Sequence, residues 1–244
     1  MNPSRSSIEQ ALSAHGLRLR GGWQPGAADA LPPLPHGRPA AVVWMIGQVG
    51  SEVWAPFAAS SFSRDGLPDP MDRWSKSIGH PLAEALGGVA IYPSDGPPWW
   101  PFQQWAARAE PLQTSPLLLQ IHPQFGLWHA WRFALLSPVL SSQDAEDLTA
   151  NKPTIADLCL SCDGQPCLTA CPVQAFSPVG YDVDRCAGFL HGPKGDDCMH
   201  SGCQARHACP VAVGYRYRPQ HAAFHMAAFA QRRAPGTTGA PEPL

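Results

Sequence analysis

What this chain lacks divides it before any motif is read. No cysteine occurs in the first 158 residues, and no tryptophan occurs after residue 131. Charged residues make up only 15% of the chain and the formal net charge is −2, so no polyanion-binding field spans it, which argues against a nucleic-acid partner. No stretch approaches the roughly 18 apolar residues of a membrane span. The opening residues, MNPSRSSIEQALSAHGLRLR, contain no apolar signal-peptide core. There is no phosphate-cradling P-loop and no G-x-G-x-x-G, so nothing points to a nucleotide cofactor. The expectation is a soluble, cytoplasmic protein with no membrane association. In that compartment, clustered cysteines bind metal more often than they form disulfides.

What is present suffices for one large domain or two modest ones: 244 residues, of which 44% are apolar. The 28 prolines predict many loops and short elements. The pattern predicts helices over residues 7–14, 71–86 (bent near Pro81), 99–108 and 220–231, and a helix begun at a Ser51 cap through Trp54, Phe57 and Ala58. Strands are predicted over 40–46, 88–92, 117–121 and 127–136, the last two joined as a hairpin through 121–127. In the fourth strand Trp128, Ala130, Arg132 and Ala134 share one face, and His129, Trp131, Phe133 and Leu135 the other. Both faces carry large apolar groups, so this strand belongs in the interior of a sheet. Residues 21–38 read as a loop.

All eight cysteines lie between residues 159 and 209. They read Cys159-x2-Cys162-x4-Cys167-x3-Cys171-Pro172, then Cys186, then Cys198-x4-Cys203-x5-Cys209-Pro210. Eight thiolates complete two four-cysteine sites with none left over, and thiolate ligands select zinc or iron–sulfur clusters. Two-cluster ferredoxins use C-x2-C-x2-C-x3-C-P, with the fourth cysteine serving the other cluster. This chain has that pattern with one gap widened by two residues, and it ends a second group in Cys-Pro as well. Crossed ligation assigns Cys159, Cys162, Cys167 and Cys209 to one [4Fe–4S] cluster, and Cys171, Cys186, Cys198 and Cys203 to the other. The widened gaps keep a pair of zinc sites as the alternative.

The order of these cysteines resembles the iron–sulfur half of epoxyqueuosine reductase, in which a lone cysteine follows L-D-x-x-R. The matching segment here is Tyr181-Asp-Val-Asp-Arg-Cys186. Upstream, His122-Pro-Gln-Phe-Gly126-Leu-Trp128 resembles the H-P-x-F-G-x-W segment of CblC-type cobalamin-processing proteins. Pro56-Phe57-Ala-Ala-Ser60 and Asp69-Pro-Met-Asp72 resemble that family too. The likeness covers roughly residues 40–211. It implies an α+β architecture: a nitroreductase-like, CblC-like sheet domain over residues 1–140 followed by a ferredoxin-like two-cluster domain over 151–218. The sequence pattern itself reads 141–150 as a linker, 219–234 as a C-terminal helix and 235–244 as a disordered tail. The likeness further implies a bound cobalamin near His122, Gly126 and Trp128, to which the clusters pass electrons for reduction of a small-molecule substrate. A flavodoxin, ferredoxin or reductase would supply the electrons. Related readings are a cobalamin-processing protein and a ferredoxin-like carrier without corrinoid.

The catalytic acid of epoxyqueuosine reductase lies in a V-D-S-A-P-like segment. The corresponding region here, Ile91-Tyr-Pro-Ser-Asp95-Gly-Pro-Pro98, is offset by a residue or two, so Asp95 reads first as a turn residue before Gly96 and second as the candidate proton donor. His122 reads either as a ligand contact or as a turn histidine bonded to backbone. His191, His200 and His207 read as cluster surroundings, since the cysteines already complete two sites. The tryptophans read mainly as core, with Trp99 and Trp100 the pair nearest Asp95. Residues 215–218, Tyr-Arg-Tyr-Arg, read as a solvated stretch before the last helix. Only 35 residues follow Cys209, too few for the helical repeat that helps many epoxyqueuosine reductases hold transfer RNA.

Overall fold

The computed structural model describes residues 5–97, 99–149, 157–177 and 180–233. In chain order the first elements are α1 (Arg5–Ser13), β1 (Leu17–Trp23), β2 (Val42–Val49), α2 (Trp54–Ala59), α3 (Pro70–Ala85), β3 (Val89–Ile91) and α4 (Phe102–Ala109). Next come β4 (Gln113–Thr114), β5 (Gln120–Ile121), β6 (His129–Ser137) and α5 (Ser142–Thr149). The cysteine-bearing part holds α6 (Pro166–Thr169), β7 (Phe176–Ser177), β8 (Gly180–Tyr181), α7 (Val183–Leu190), α8 (Asp196–Ser201), α9 (Gln204–His207) and α10 (Pro219–Arg232). The fold is mixed α+β with a small antiparallel sheet. Among the described residues no helix is long and apolar enough to cross a membrane.

The chain divides into two compact units, one from residues 1–111 with 129–154, the other from 112–128 with 155–244. The first is built on a four-stranded sheet in the order β1-β2-β6-β3, with every pairing antiparallel. All eight residues of β2 are buried, as suits an apolar run in an inner strand. β6 is the other inner strand, in keeping with its two apolar faces. Its Phe133 to Leu136 stretch meets Val42, Val43, Met45 and Ile46 in the core, where each Phe, Leu, Val, Met or Ile side chain contributes roughly 1.5–3 kcal/mol on burial. Helix α1 turns Ile8 and Leu12, one turn apart, into the interior.

Several expected boundaries shift. β1 was unexpected, because Gly21 and Gly22 read as loop; they instead form an irregularity where the β1–β2 register slips between Leu19 and Gly22. Helix α2 begins three residues beyond Ser51, with Val53 at its N-cap position. The expected hairpin of 117–121 with 127–136 does not form. β5 is two residues long and pairs with β4, and β6 pairs with β2 and β3. The turn itself survives as a bridge between His122 and Gly126, each N–H bonded to the other's carbonyl.

Two domain boundaries also differ. Residues 112–128, expected within the first domain, belong with the cysteines. The expected linker contains α5, which Ser141 caps by accepting the Asp144 N–H at 3.0 Å. That S-x-x-D signal was present in the sequence. The tail at 235–244 lies outside the described residues, as do 150–156.

Candidate metal centre

Short elements place the eight thiols. Asp157 turns the chain by accepting the N–H groups of Cys159 and Leu160 at 3.0 and 2.9 Å. Cys167 lies on α6, and Cys171-Pro172 follows where that helix ends. Asp182 caps α7 by accepting the Arg185 N–H at 2.9 Å, and α7 carries Cys186. Cys198 lies on α8, Cys203 stands at the N-cap position of α9, and Cys209-Pro210 follows α9. Thus α6 and α9, which pack on one another, each lead into a Cys-Pro pair. All eight cysteines are free thiols, so the disulfide alternative has no counterpart in the structure.

The thiols fall into two sets. Burial first, and then neighbouring negative charge, holds most of them above the ordinary thiol range. Cys159 is pushed up to about 11 by burial, by Asp157 and by the thiolates of Cys209, Cys167 and Cys162. After burial, Cys209 and Cys162 also raise Cys167, and Cys162 raises Cys209. Burial likewise leads at the other thiols, where Cys171 and Cys198 act on Cys186, Cys171 on Cys198, and Cys198 and Cys186 on Cys203. One set is therefore Cys159, Cys162, Cys167 and Cys209; the other is Cys171, Cys186, Cys198 and Cys203. The first four also line one largely apolar cavity with Leu117, Ile121 and Leu127.

The donor chemistry suits a cationic core. Cysteines bind metal as thiolates, and a bound metal core would supply the positive charge that favours that form. Among the described residues no three His, Cys, Asp or Glu side chains converge tightly enough for one metal ion. Four thiolates on a single zinc stand about 3.8 Å apart, from a Zn–S bond of about 2.3 Å.

Residues 112–128 form the wall of the first set. Leu117, Ile121 and Leu127 share a core with Cys171, Ala175, Ala205 and Cys209. The Gln113 side chain accepts the Leu158 N–H at 3.0 Å. Arg206, inside the last cysteine group, donates to the Leu127 carbonyl. Its guanidinium lies over the rings of Trp128 and Tyr217, at 4.9 and 4.5 Å. Nothing in the sequence pattern marked Arg206, since the cysteine spacing leaves its position open.

The three candidate corrinoid residues all lie in this same unit. His122 is 7% exposed, and its Nδ1 accepts the N–H groups of Gln124 and Phe125 at 3.1 and 3.3 Å. This is the turn-histidine arrangement. Gly126 sits at φ +58°, where a Cβ would come within 2.4 Å of the Val211 carbonyl oxygen. Trp128 is 1% exposed, edge-on to His207 at 5.1 Å and to Tyr217 at 5.8 Å. The three therefore carry packing and turn-forming contacts within the cysteine-bearing unit.

Asp95 belongs to the first unit. It pairs with Lys76 at 2.7 Å, both side chains 37% exposed, and its N–H bonds to the Tyr92 carbonyl in a turn. Trp99 is exposed, while Trp100 packs on Trp105. His200 bonds through Nδ1 to the Asp196 carbonyl at 2.9 Å on the surface. His207 is held below its ordinary range by burial and then by Arg216 and Arg206. The 215–218 run is less solvated than expected: Tyr217 is buried against Trp128, and Tyr215 stands edge-on to Phe125. No protein-family model and no curated protein matches the chain.

Proposed function

We propose that the second unit carries two [4Fe–4S] clusters and that the chain is an iron–sulfur oxidoreductase that relays single electrons. One observation carries the reading. The thiols associate as Cys159, Cys162, Cys167 and Cys209, and as Cys171, Cys186, Cys198 and Cys203. These are the sets that crossed two-cluster ligation requires, and each draws from both cysteine groups. When bound, such clusters supply one-electron transfer. The chain supplies thiolate charge, apolar walls from Leu117, Ile121 and Leu127, and N–H donors to sulfur such as Ala175 to Cys171 at 3.3 Å.

In its fuller form the reading gives the first unit a nitroreductase-like role. In that form a bound cobalamin would supply the reducing chemistry, fed with electrons from a donor protein by the ferredoxin-like unit, the substrate would be a small molecule, and Asp95 would be the proton donor. Its support is the resemblance at residues 56–60, 69–72 and 117–128. A second reading, an electron carrier without corrinoid, is favoured by the burial of His122 and Trp128 and by the occupied space at Gly126.

Anaerobically purified protein should carry iron and labile sulfide in equal amounts, about eight of each per chain. Zinc without sulfide would overturn the cluster reading. Titration with hydroxocobalamin, followed by absorbance, separates the two acceptor readings. A base-off spectrum supports the corrinoid enzyme, and no spectral change at high micromolar concentration leaves the electron carrier.

A further inference from the structure

Two histidines on α10 stand outside everything the cysteines need. His221 and His225 are one turn apart, so both project from the same face of the helix. His221 is fully buried, and its ring stacks on Tyr217 with centroids 4.2 Å apart and planes inclined by 24°. Tyr217 is itself buried against Trp128, so the His221 ring rests on a fixed support. His225 is partly exposed and opens the pair to solvent. The two Nε2 atoms face each other at 3.0 Å.

Two occupants fit between nitrogens so placed, a proton or a metal ion, and the rings distinguish them. Imidazoles joined head-on by an N–H···N bond of this length would have centroids about 5.3 Å apart. Imidazoles sharing an ion about 2.1 Å from each nitrogen would have centroids about 4.7 Å apart and subtend about 90° at it. The observed centroids are 4.8 Å apart, with the planes inclined by 47°. The rings are thus turned towards the chelating arrangement. Once one ring moves its proton from Nε2 to Nδ1, both Nε2 lone pairs are available with no change of charge. A bite of about 90° suits adjacent positions on a tetragonal or octahedral ion, whereas tetrahedral zinc would hold the nitrogens about 3.4 Å apart. We propose that His221 and His225 are a chelating pair for one divalent ion of the nickel(II) or copper(II) class. Among the described residues no third His, Cys, Asp or Glu completes the group, so water fills the remaining positions and the ion is exchangeable. Arg206, 4.5 Å over the Tyr217 ring, opposes a cation here, and the expected hold is accordingly micromolar. Nitrogen donors set this site apart from the thiols, so it stands whether or not the cluster reading does.

The experiment adds nickel chloride anaerobically to the purified whole chain, to His225→Gln and to His200→Gln. Calorimetry gives the affinity, nickel X-ray absorption gives the ligands, and iron, sulfide and circular dichroism check each variant. The expected result is one nickel ion per native chain, in a shell of two imidazoles and oxygen without sulfur. His225→Gln should weaken binding about 100-fold, because one of two linked ligands is lost. His200→Gln should leave it unchanged, since that ring lies on α8 bonded to the Asp196 carbonyl. Native affinity retained in His225→Gln would overturn the inference, as would the absence of binding by the native chain at millimolar nickel. So would a sulfur shell or a single imidazole around nickel in the native chain, a result that decides the matter even where His225→Gln does not fold.

Discussion

Gly126 has no room for a side chain: both its φ of +58° and the Val211 carbonyl oppose one. Gly126→Ala is expected to cost at least ~1 kcal/mol, and more where Val211 cannot move, because Pro210 ties that carbonyl to Cys209. Urea unfolding measures the cost, and iron content should fall with it. In the first unit, Arg20 is almost fully buried, bonded to Glu110, donating to the Gln48 carbonyl and lying 4.8 Å over Trp131. Glu110→Ala removes the opposing carboxylate and is expected to destabilise by about 3–5 kcal/mol, read from the urea midpoint. Acid acts elsewhere in that unit. Hydrogen bonds from Arg108 and from the Gly26 backbone hold Asp29 below the usual carboxylate range, and those from Arg73 and the Leu67 backbone do the same for Asp65. A carboxylate with a depressed folded pKa stabilises the fold above its unfolded value of 3.8, and that contribution fades as pH falls through the folded pKa. The thermal midpoint should therefore be flat from pH 7 to about 5 and decline below about 4.

Among elements, α6 and α9 matter less for their length than for the Cys-Pro pair each delivers. On the proposed crossed ligation, the cysteine of each pair would serve the set assembled by the other group. Cys209→Ala and Cys171→Ala should each remove about half the iron, but from opposite sets. Spacing alone marked the cysteines as candidate ligands, because ligand spacing is a local feature of the sequence. The inner strands β2 and β6 were legible for a similar reason, since apolar residues on both faces admit few placements. The failures share another cause. β1 hides behind Gly21-Gly22, whose bulge is set by pairing with β2 across more than twenty residues. Residues 117–128 looked like half of a hairpin because periodicity reports burial without naming the partner. Their partners are Cys171, Ala175, Ala205 and Cys209, dozens of residues onward.

At the scale of the molecule, the second unit is discontinuous in sequence. The chain leaves the first unit after Pro111, returns at His129, and leaves again after Thr154. No single cut separates the units. A fragment beginning at residue 155 lacks Leu117, Ile121 and Leu127, as well as the carbonyl that Arg206 engages. Such a fragment is expected to hold under half the iron of the whole chain and to be cleaved readily in limited proteolysis. Supplying residues 112–128 as a peptide should slow that cleavage. The same discontinuity has a consequence during synthesis. Residues 112–128 leave the ribosome well before Cys209, and at roughly 5–20 residues per second that interval is roughly 4–16 s. For that time Leu117, Ile121 and Leu127 have no core to enter, even as β6 becomes available to close the sheet of the first unit. The nascent chain therefore carries an exposed apolar loop on a domain already able to fold, a natural point of capture for a holdase chaperone.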